Sequence, residues 1–369
     1  MQRILVLALL AGCASPIPVS AADAPPARER SDPPAILSSW DDLLEGVRSP
    51  ADWQARKKVL RGRFLELIRD DRKPARPALN VDVLAIATVD GKYTRQLISY
   101  QVEADERAYA YLALPNDLKA PAPAIVALHG TYKNANKGIA GLVKDEDEAY
   151  LDYLARRGFV VIAPEHFVAG RRSPPEGDYD TTRFHQKHPE WTSVGKFTYE
   201  HAIAVDVLAS LKQVDPDRIG ALGHSLGGHG TFFLAAYDER IRAACCNCGA
   251  TFFRHNSKAD VWARDRWYVY FKHVRPGMLE GKLPPIDFHE ILALIAPRAF
   301  LDLSGLNDGN PLTQRQRILM NLKLMDVYDM EGVPQNFAFY AHGQGHAAAN
   351  DSRQLMYAWL EKHLVASEK

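Results

Sequence analysis

The stretch Arg218-Ile219-Gly220-Ala221-Leu222-Gly223-His224-Ser225-Leu226-Gly227-Gly228 decides how the rest of this 369-residue chain is read. Its first half is apolar, as a parallel strand covered on both faces should be, and the residues that follow, Leu226–Tyr237, suit a helix. Gly223-x-Ser225-x-Gly227 therefore falls on a strand-to-helix junction. There the two glycines let strand and helix backbones approach without Cβ atoms between them, and the sharp turn forces Ser225 into a strained conformation that lifts its Oγ above the sheet. The start of the helix adds a positive dipole, and the Leu226 N–H is placed to donate to a developing anionic oxygen. The competing reading, a purely structural turn, does not explain why the motif sits at this junction.

Outward from the junction the chain alternates strand and helix patterns. Upstream, Val81–Val89, Tyr93–Val102 and Ala108–Leu114 read as strands with no helix between them, an antiparallel meander whose first turn is Asp90-Gly91. Strands at Ala124–Leu128 and Phe159–Ala163 enclose a helix over Glu146–Arg157, and a helix at Thr198–Val214 leads to the junction. Downstream come strands at Ile241–Cys246, Ala299–Leu303 and Asn336–Tyr340 and helices at Gln314–Met330 and Ser352–Leu364. The pattern predicts an α/β class fold in one domain, with a mainly parallel central sheet, antiparallel N-terminal strands and helices on both faces. Before it, Trp40–Leu44 and Trp53–Ile68 show helical spacing, with Asp52 a candidate cap.

A serine hydroxyl needs a base, and the base needs an orienting acid. His346, between the strand Asn336–Tyr340 and the last helix, is the candidate base; Asp308, after Ala299–Leu303, is the candidate acid. His342 and Asp302 are the runners-up, the first read as bracing its loop and the second as a structural carboxylate inside a strand. A second oxyanion donor is expected from His129-Gly130-Thr131-Tyr132, with the Thr131 N–H preferred over Tyr132, beside that of Leu226. The alternative is that Gly130 only permits a tight turn. His224 and His229 flank the serine and read as packing residues.

With these residues in chain order, the sequence from about residue 80 onward resembles the α/β-hydrolase superfamily. Asp217-Arg218-Ile219, Asp238-Glu239-Arg240-Ile241 and Ala296-Pro297-Arg298 are similar to bacterial dienelactone-hydrolase and acetyl xylan esterase relatives. The resemblance implies a secreted serine esterase that deacylates a carbohydrate or another small ester through an acyl-enzyme. Prolyl oligopeptidases share the motif, which leaves a serine peptidase acting on short peptides as an alternative, although no long N-terminal β-propeller precedes the hydrolase region. A non-catalytic surface binding protein on the same scaffold is a further one. Glucuronoyl esterases are similar in outline, but there the nucleophile is followed by Arg and the motif carries Lys, whereas here Leu226 follows Ser225. The chemistry needs no cofactor and no metal.

Composition sets the remaining bounds. Lys plus Arg equals Asp plus Glu at 45 each, which removes the basic field that would draw the chain to nucleic acid. Met1-Gln2-Arg3 and the apolar run Ile4–Ala11 have the layout of a secretory signal, too short to span a bilayer. Leu10-Ala11-Gly12-Cys13 resembles a lipobox, so lipidation of Cys13 on a periplasmic or cell-envelope lipoprotein is preferred over cleavage after Ala21 or Ala22. The expected organisation is a signal at 1–12, a flexible tether at 13–37, a helical extension at 38–75 and the catalytic domain at 76–369. Cys245, Cys246 and Cys248 lack histidines at zinc-ligand spacing and read as buried, reduced core thiols. Two loop insertions, Phe167–Gly195 (Arg171, Arg172, Arg183, His185, His188, Trp191) and Thr251–Pro285 (Phe252, Phe253, Arg254, Trp262, Trp267, Tyr268, Tyr270, Phe271), should overhang Ser225. Their aromatic and basic groups are read either as sugar and carboxylate contacts or as the packing of a lid.

Overall fold

The computed structural model describes residues 40, 43–143, 148–254, 261–309 and 311–365. The signal, Cys13, the 13–37 tether and the start of the helix expected from Glu146 lie outside them. Asp82–Val89 (β1), Tyr93–Glu103 (β2) and Glu106–Pro115 (β3) form the antiparallel meander. Asp90 and Gly91 have φ of 50° and 66°, the paired positive values of a type I′ hairpin, and the Lys92 N–H closes the turn on Val89 O at 2.9 Å. Ala122–Leu128 (β4), Val160–Pro164 (β5), Val214–His224 (β6), Ile241–Asn247 (β7), Ala299–Gly305 (β8) and Phe337–His342 (β9) complete a sheet in the order β1-β2-β3-β5-β4-β6-β7-β8-β9. β3 meets β5 antiparallel, and every neighbour from β5 to β9 is parallel.

Side-chain alternation divides the core between the two faces. Ala124, Val126 and Leu128 of β4 join one apolar cluster, and Ile125 and Ala127 join the other. The helices Ser193–Ala209 and Leu226–Tyr237 supply the first cluster, and Tyr150–Ala155 and Asn350–Leu364 the second. The N-terminal helix Pro50–Leu67 packs Trp53, Leu60 and Phe64 into the first, with the Phe64 ring stacked 6.1 Å from Phe233. The expected Asp52 cap is corrected: Ser49 is the N-cap, its hydroxyl accepting from the Asp52 N–H, and Pro50 opens the helix. No helix among the described residues is long and apolar enough to cross a membrane.

The helix expected at Thr198–Val214 instead runs Ser193–Ala209. Thr192 starts it early, its hydroxyl accepting from the Gly195 N–H at 2.8 Å and donating to Ile68 O at 2.7 Å. Val214 already belongs to β6. Because the helix is buried almost all round, its apolar period carries little boundary information.

This helix also holds a buried charge cluster. Lys196 Nζ lies 2.9 Å from Glu200 Oε1 and 2.8 Å from Glu106 Oε2, Arg172 Nη2 donates to Glu200 Oε1 at 2.7 Å, and Lys196 also pairs with Glu103. Burial opposes ionisation of Glu200, but Arg172 and Lys196 outweigh it and hold its carboxyl down to about 2. A carboxyl depressed on folding adds stability above its unfolded value, about 4.3, and loses it as pH falls through the folded one. The urea midpoint is therefore expected to fall between about pH 4.5 and about pH 2. Glu200→Gln should cost about 3 kcal/mol at neutral pH by removing the buried carboxylate that Arg172 and Lys196 share, and flatten that acid limb; chemical denaturation of both proteins across pH checks it.

Candidate active site

β6 ends at His224, and Ser225 follows with φ 56° and ψ −119° before the helix Leu226–Tyr237 begins. A side chain at that positive φ is strained, and the crowding around it shows what holds it there. A Cβ on Gly223 would lie 2.4 Å from Gly227 O, and one on Gly227 only 2.1 Å from Leu128 O. Strand, turn and helix are thus pressed backbone to backbone, and Ser225 makes no capping bond with its side chain. Its Oγ faces His346 Nε2 at 2.8 Å, and His346 Nδ1 faces Asp308 Oδ2 at 3.0 Å.

Two loops carry His346 and Asp308, and hydrogen bonds lace them together. The Leu306 N–H donates to His342 O at 2.7 Å, Asn307 N–H to Gln344 O at 3.1 Å and Asn307 Nδ2 to Gly343 O at 2.6 Å. Asp308 accepts the Nδ1 proton, which leaves Nε2 free to accept from the Ser225 hydroxyl. Burial opposes ionisation of Asp308, yet its contact with His346 keeps its carboxyl below the usual range. Asp308 first, then Cys248, raises the His346 imidazole above its ordinary value.

The runners-up lie elsewhere. Asp302 is buried in β8, accepts from Asn321 Nδ2 at 2.8 Å, and is pushed by burial to about 6. His342 Nδ1 accepts from the Gln344 N–H at 3.3 Å and so braces the loop. Burial lowers both His224 and His229 to about 3; His229 Nδ1 meets Tyr270 Oη at 3.1 Å. Three further side chains surround Asp308, of which only Cys248 carries a sequence expectation, that of a buried core thiol. Arg317, buried on the helix Pro311–Met330, comes within 3.9 Å of its carboxylate, Gln314 Nε2 donates to its backbone oxygen, and the Cys248 sulfur lies within 4.8 Å of its carboxylate. The first two come from a helix whose apolar pattern hides its polar inner turn.

The corner in which oxyanion donors are expected is built from β4 onward. Leu226 opens a helix, so its N–H is among the first four without an intrahelical acceptor. His129 is buried, with Nδ1 2.7 Å from Gly130 O and Nε2 accepting from the His166 N–H at 3.0 Å. The Tyr132 N–H is already given to Tyr179 Oη at 2.9 Å, whereas no acceptor for the Thr131 N–H is found among the described residues. Tyr179 Oη also lies 3.1 Å from Gly130 O and 2.8 Å from Tyr132 O, pinning the turn. Tyr179→Phe is expected to lower kcat about tenfold with KM little changed, through loss of the hydrogen bonds that hold the Gly130–Tyr132 turn; steady-state ester kinetics test this.

The two insertions meet each other rather than standing apart. Thr181 Oγ1 donates to Trp267 O at 2.8 Å and accepts from the Val269 N–H at 2.9 Å. Phe252, Phe253, Trp262, Tyr268, Tyr270 and Phe271 are buried, which resolves those residues as lid packing. Arg171 pairs with Glu165, Arg172 with Glu200, Arg183 with Glu176, and His185 and Trp191 pack with Phe184 and Tyr199. His188 packs on Phe184 and pairs with Glu103, and Arg254 lies over the Trp40 ring. Trp267 stays 44% exposed, and the Arg264 guanidinium lies 5.4 Å from its ring centre and 4.9 Å from that of Tyr270. This exposed edge joins the Tyr270–His229 contact one helical turn past Ser225.

Comparison with known proteins fits this geometry. The chain is 26% identical over 301 residues to the Bacillus subtilis (strain 168) protein YtaP, named a hydrolase, across 79% of this chain and 95% of that one. A solved glucuronoyl esterase from Solibacter usitatus superposes with a TM-score of 0.68 at 18% identity, over 90% of this chain and 98% of its own. A Bacteroides fragilis NCTC 9343 protein assigned as an acetyl xylan esterase superposes with a TM-score of 0.62 at 21% identity, over 81% and 78%. At such identities the two structures speak for the fold. The family model for the alpha/beta hydrolase fold matches residues 123–364, from β4 through the Ser225 turn to the last helix, and the chain belongs to that family.

Proposed function

We propose that this protein is a serine carboxylic-ester hydrolase that deacylates a carbohydrate or small ester. The observation that carries the reading is the hydrogen-bonded line Ser225–His346–Asp308 at a strained strand-to-helix turn. His346 Nε2 takes the hydroxyl proton as Ser225 Oγ attacks the ester carbonyl carbon, and the N–H groups of Leu226 and Thr131 receive the oxyanion. The imidazolium, held by Asp308, returns the proton to the departing alcohol as the C–O bond breaks. Water repeats the sequence on the acyl-enzyme, frees the acid and restores Ser225. The neighbours in fold, a glucuronoyl esterase and a protein assigned as an acetyl xylan esterase, favour carbohydrate esters. Leu226, buried and apolar, offers no cation beside the nucleophile, which favours acetyl over glucuronoyl esters. Export and anchoring through Cys13 complete the proposal; Cys13→Ala should release the protein from the membrane fraction.

Side-by-side assay of p-nitrophenyl acetate, acetylated xylan, a glucuronoyl methyl ester and aminoacyl p-nitroanilides tests the reading. The acetyl esters should turn over fastest. Turnover confined to the anilides by folded protein contradicts it and points to a peptidase; inertness to all four points to a binding protein.

A further inference from the structure

Three side chains converge behind Ser225, and the reaction above uses two of them. Cys248 lies one residue past β7, at φ 53°, its N–H donating to Leu303 O at 2.8 Å. Cys245 and Cys246 pack into the two opposite core clusters. The buried Cys248 thiol instead faces both Asp308 and His346. Ligand atoms of Cys248, Asp308 and His346 all lie within 4.8 Å of one another. One tetrahedral ion bound at about 2.0 Å to nitrogen and oxygen and about 2.3 Å to sulfur holds its ligand atoms about 3.3–3.7 Å apart. His346 Nδ1 and Asp308 Oδ2 already stand 3.0 Å apart, so binding asks chiefly that the thiol close in, and His346 is exposed to solvent.

The donor set chooses the ion. A thiolate, an imidazole and one carboxylate match Zn²⁺, whereas Ca²⁺ and Mg²⁺ need several oxygens. All three thiols are buried and free, as expected, and Cys248 differs only in facing Asp308 and His346, which other strands deliver.

We propose that Cys248, Asp308 and His346 form an inhibitory site for a thiophilic divalent cation, Zn²⁺ foremost. The ion bonds to the Nδ1 edge that faces Asp308, displacing the thiol proton to solvent and shifting the ring's single proton, through solvent, from Nδ1 to Nε2. The neutral ring then keeps its one proton on Nε2, the atom 2.8 Å from Ser225 Oγ. An Nε2–H donates and cannot accept the hydroxyl proton, so the base is disabled while the substrate surface stays open. Zn²⁺ should lower kcat and leave KM unchanged. Inhibition rests on the esterase reading; binding does not.

The test therefore has two readouts on the full chain. Co²⁺ titration without substrate should give a near-ultraviolet thiolate-to-cobalt charge-transfer band that Cys248→Ser abolishes and Cys13→Ser retains. In ester assays the half-inhibiting Zn²⁺ concentration should rise about tenfold or more in Cys248→Ser, scaled to that variant's own zinc-free rate, since losing a ligand costs at least what losing a ligand's partner does. Chelation should restore the wild-type rate. A wild-type Co²⁺ spectrum without the thiolate band overturns the site, even if Cys248→Ser fails to fold. A folded Cys248→Ser protein inhibited at the wild-type Zn²⁺ concentration overturns it as well. A thiolate band in a protein that hydrolyses no ester would retain the site and reject the esterase reading.

Discussion

Ser225→Ala is expected to lower kcat on p-nitrophenyl acetate by about a millionfold, the scale on which removing the nucleophile of a working triad acts. Stability should hardly change. The side chain caps nothing, its one hydrogen bond goes to a His346 whose side chain is 48% exposed, and Ala inherits the same positive φ without a new clash. Asp308→Asn should cost about ten-thousandfold, because an amide can donate to Nδ1 and thereby favours the Nε2–H tautomer. The pH profile separates this from mere loosening: without the carboxylate that raises it, the His346 limb should move to lower pH. Thermal melts and steady-state rates of both variants decide the matter, and a folded Ser225→Ala protein within tenfold of the wild-type rate contradicts the mechanism.

The second large effect is structural. A Cβ on Gly227 would stand 2.1 Å from Leu128 O and 2.7 Å from Leu128 C, both backbone atoms of β4. Gly227→Ala must therefore push the helix Leu226–Tyr237 off the sheet, moving Ser225 and the His129–Tyr132 turn together. The expected loss is about 3 kcal/mol, the upper range for overpacking, with most activity gone in whatever folds. Gly62 is the contrast, exposed within the helix Pro50–Leu67 with nothing near its added Cβ. Gly62→Ala should stabilise by about 1 kcal/mol through helix propensity alone. Urea denaturation of the pair measures both signs.

What was legible in the sequence follows from how local each signal is. The strands showed because runs such as Ala122–Leu128 are buried along their whole length, and the Asp90-Gly91 hairpin because its backbone conformation favours those residues. Ser225 showed because glycines are needed two residues to either side of it. His346 and Asp308 followed from the ends of strands, where parallel sheets deliver side chains to a common edge. Other features depended on partners distant in sequence. Thr192 starts its helix early by reaching Ile68 O, and Arg317 and Gln314 meet Asp308 from a helix interior. The lid aromatics pack on one another rather than waiting for a sugar, because rings such as Trp262 and Phe288, 4.6 Å apart, find each other only in the fold. Cys248 looked like its neighbours because composition cannot show which way a thiol points.

The central claim is that Ser225 becomes acylated. Its most direct test is reaction of the folded protein with a fluorophosphonate, followed by digestion and mass mapping of the adduct. One equivalent of label is expected on the peptide bearing Ser225, with loss of esterase activity in proportion. A label on another residue, or a folded protein that stays unlabelled, would contradict it.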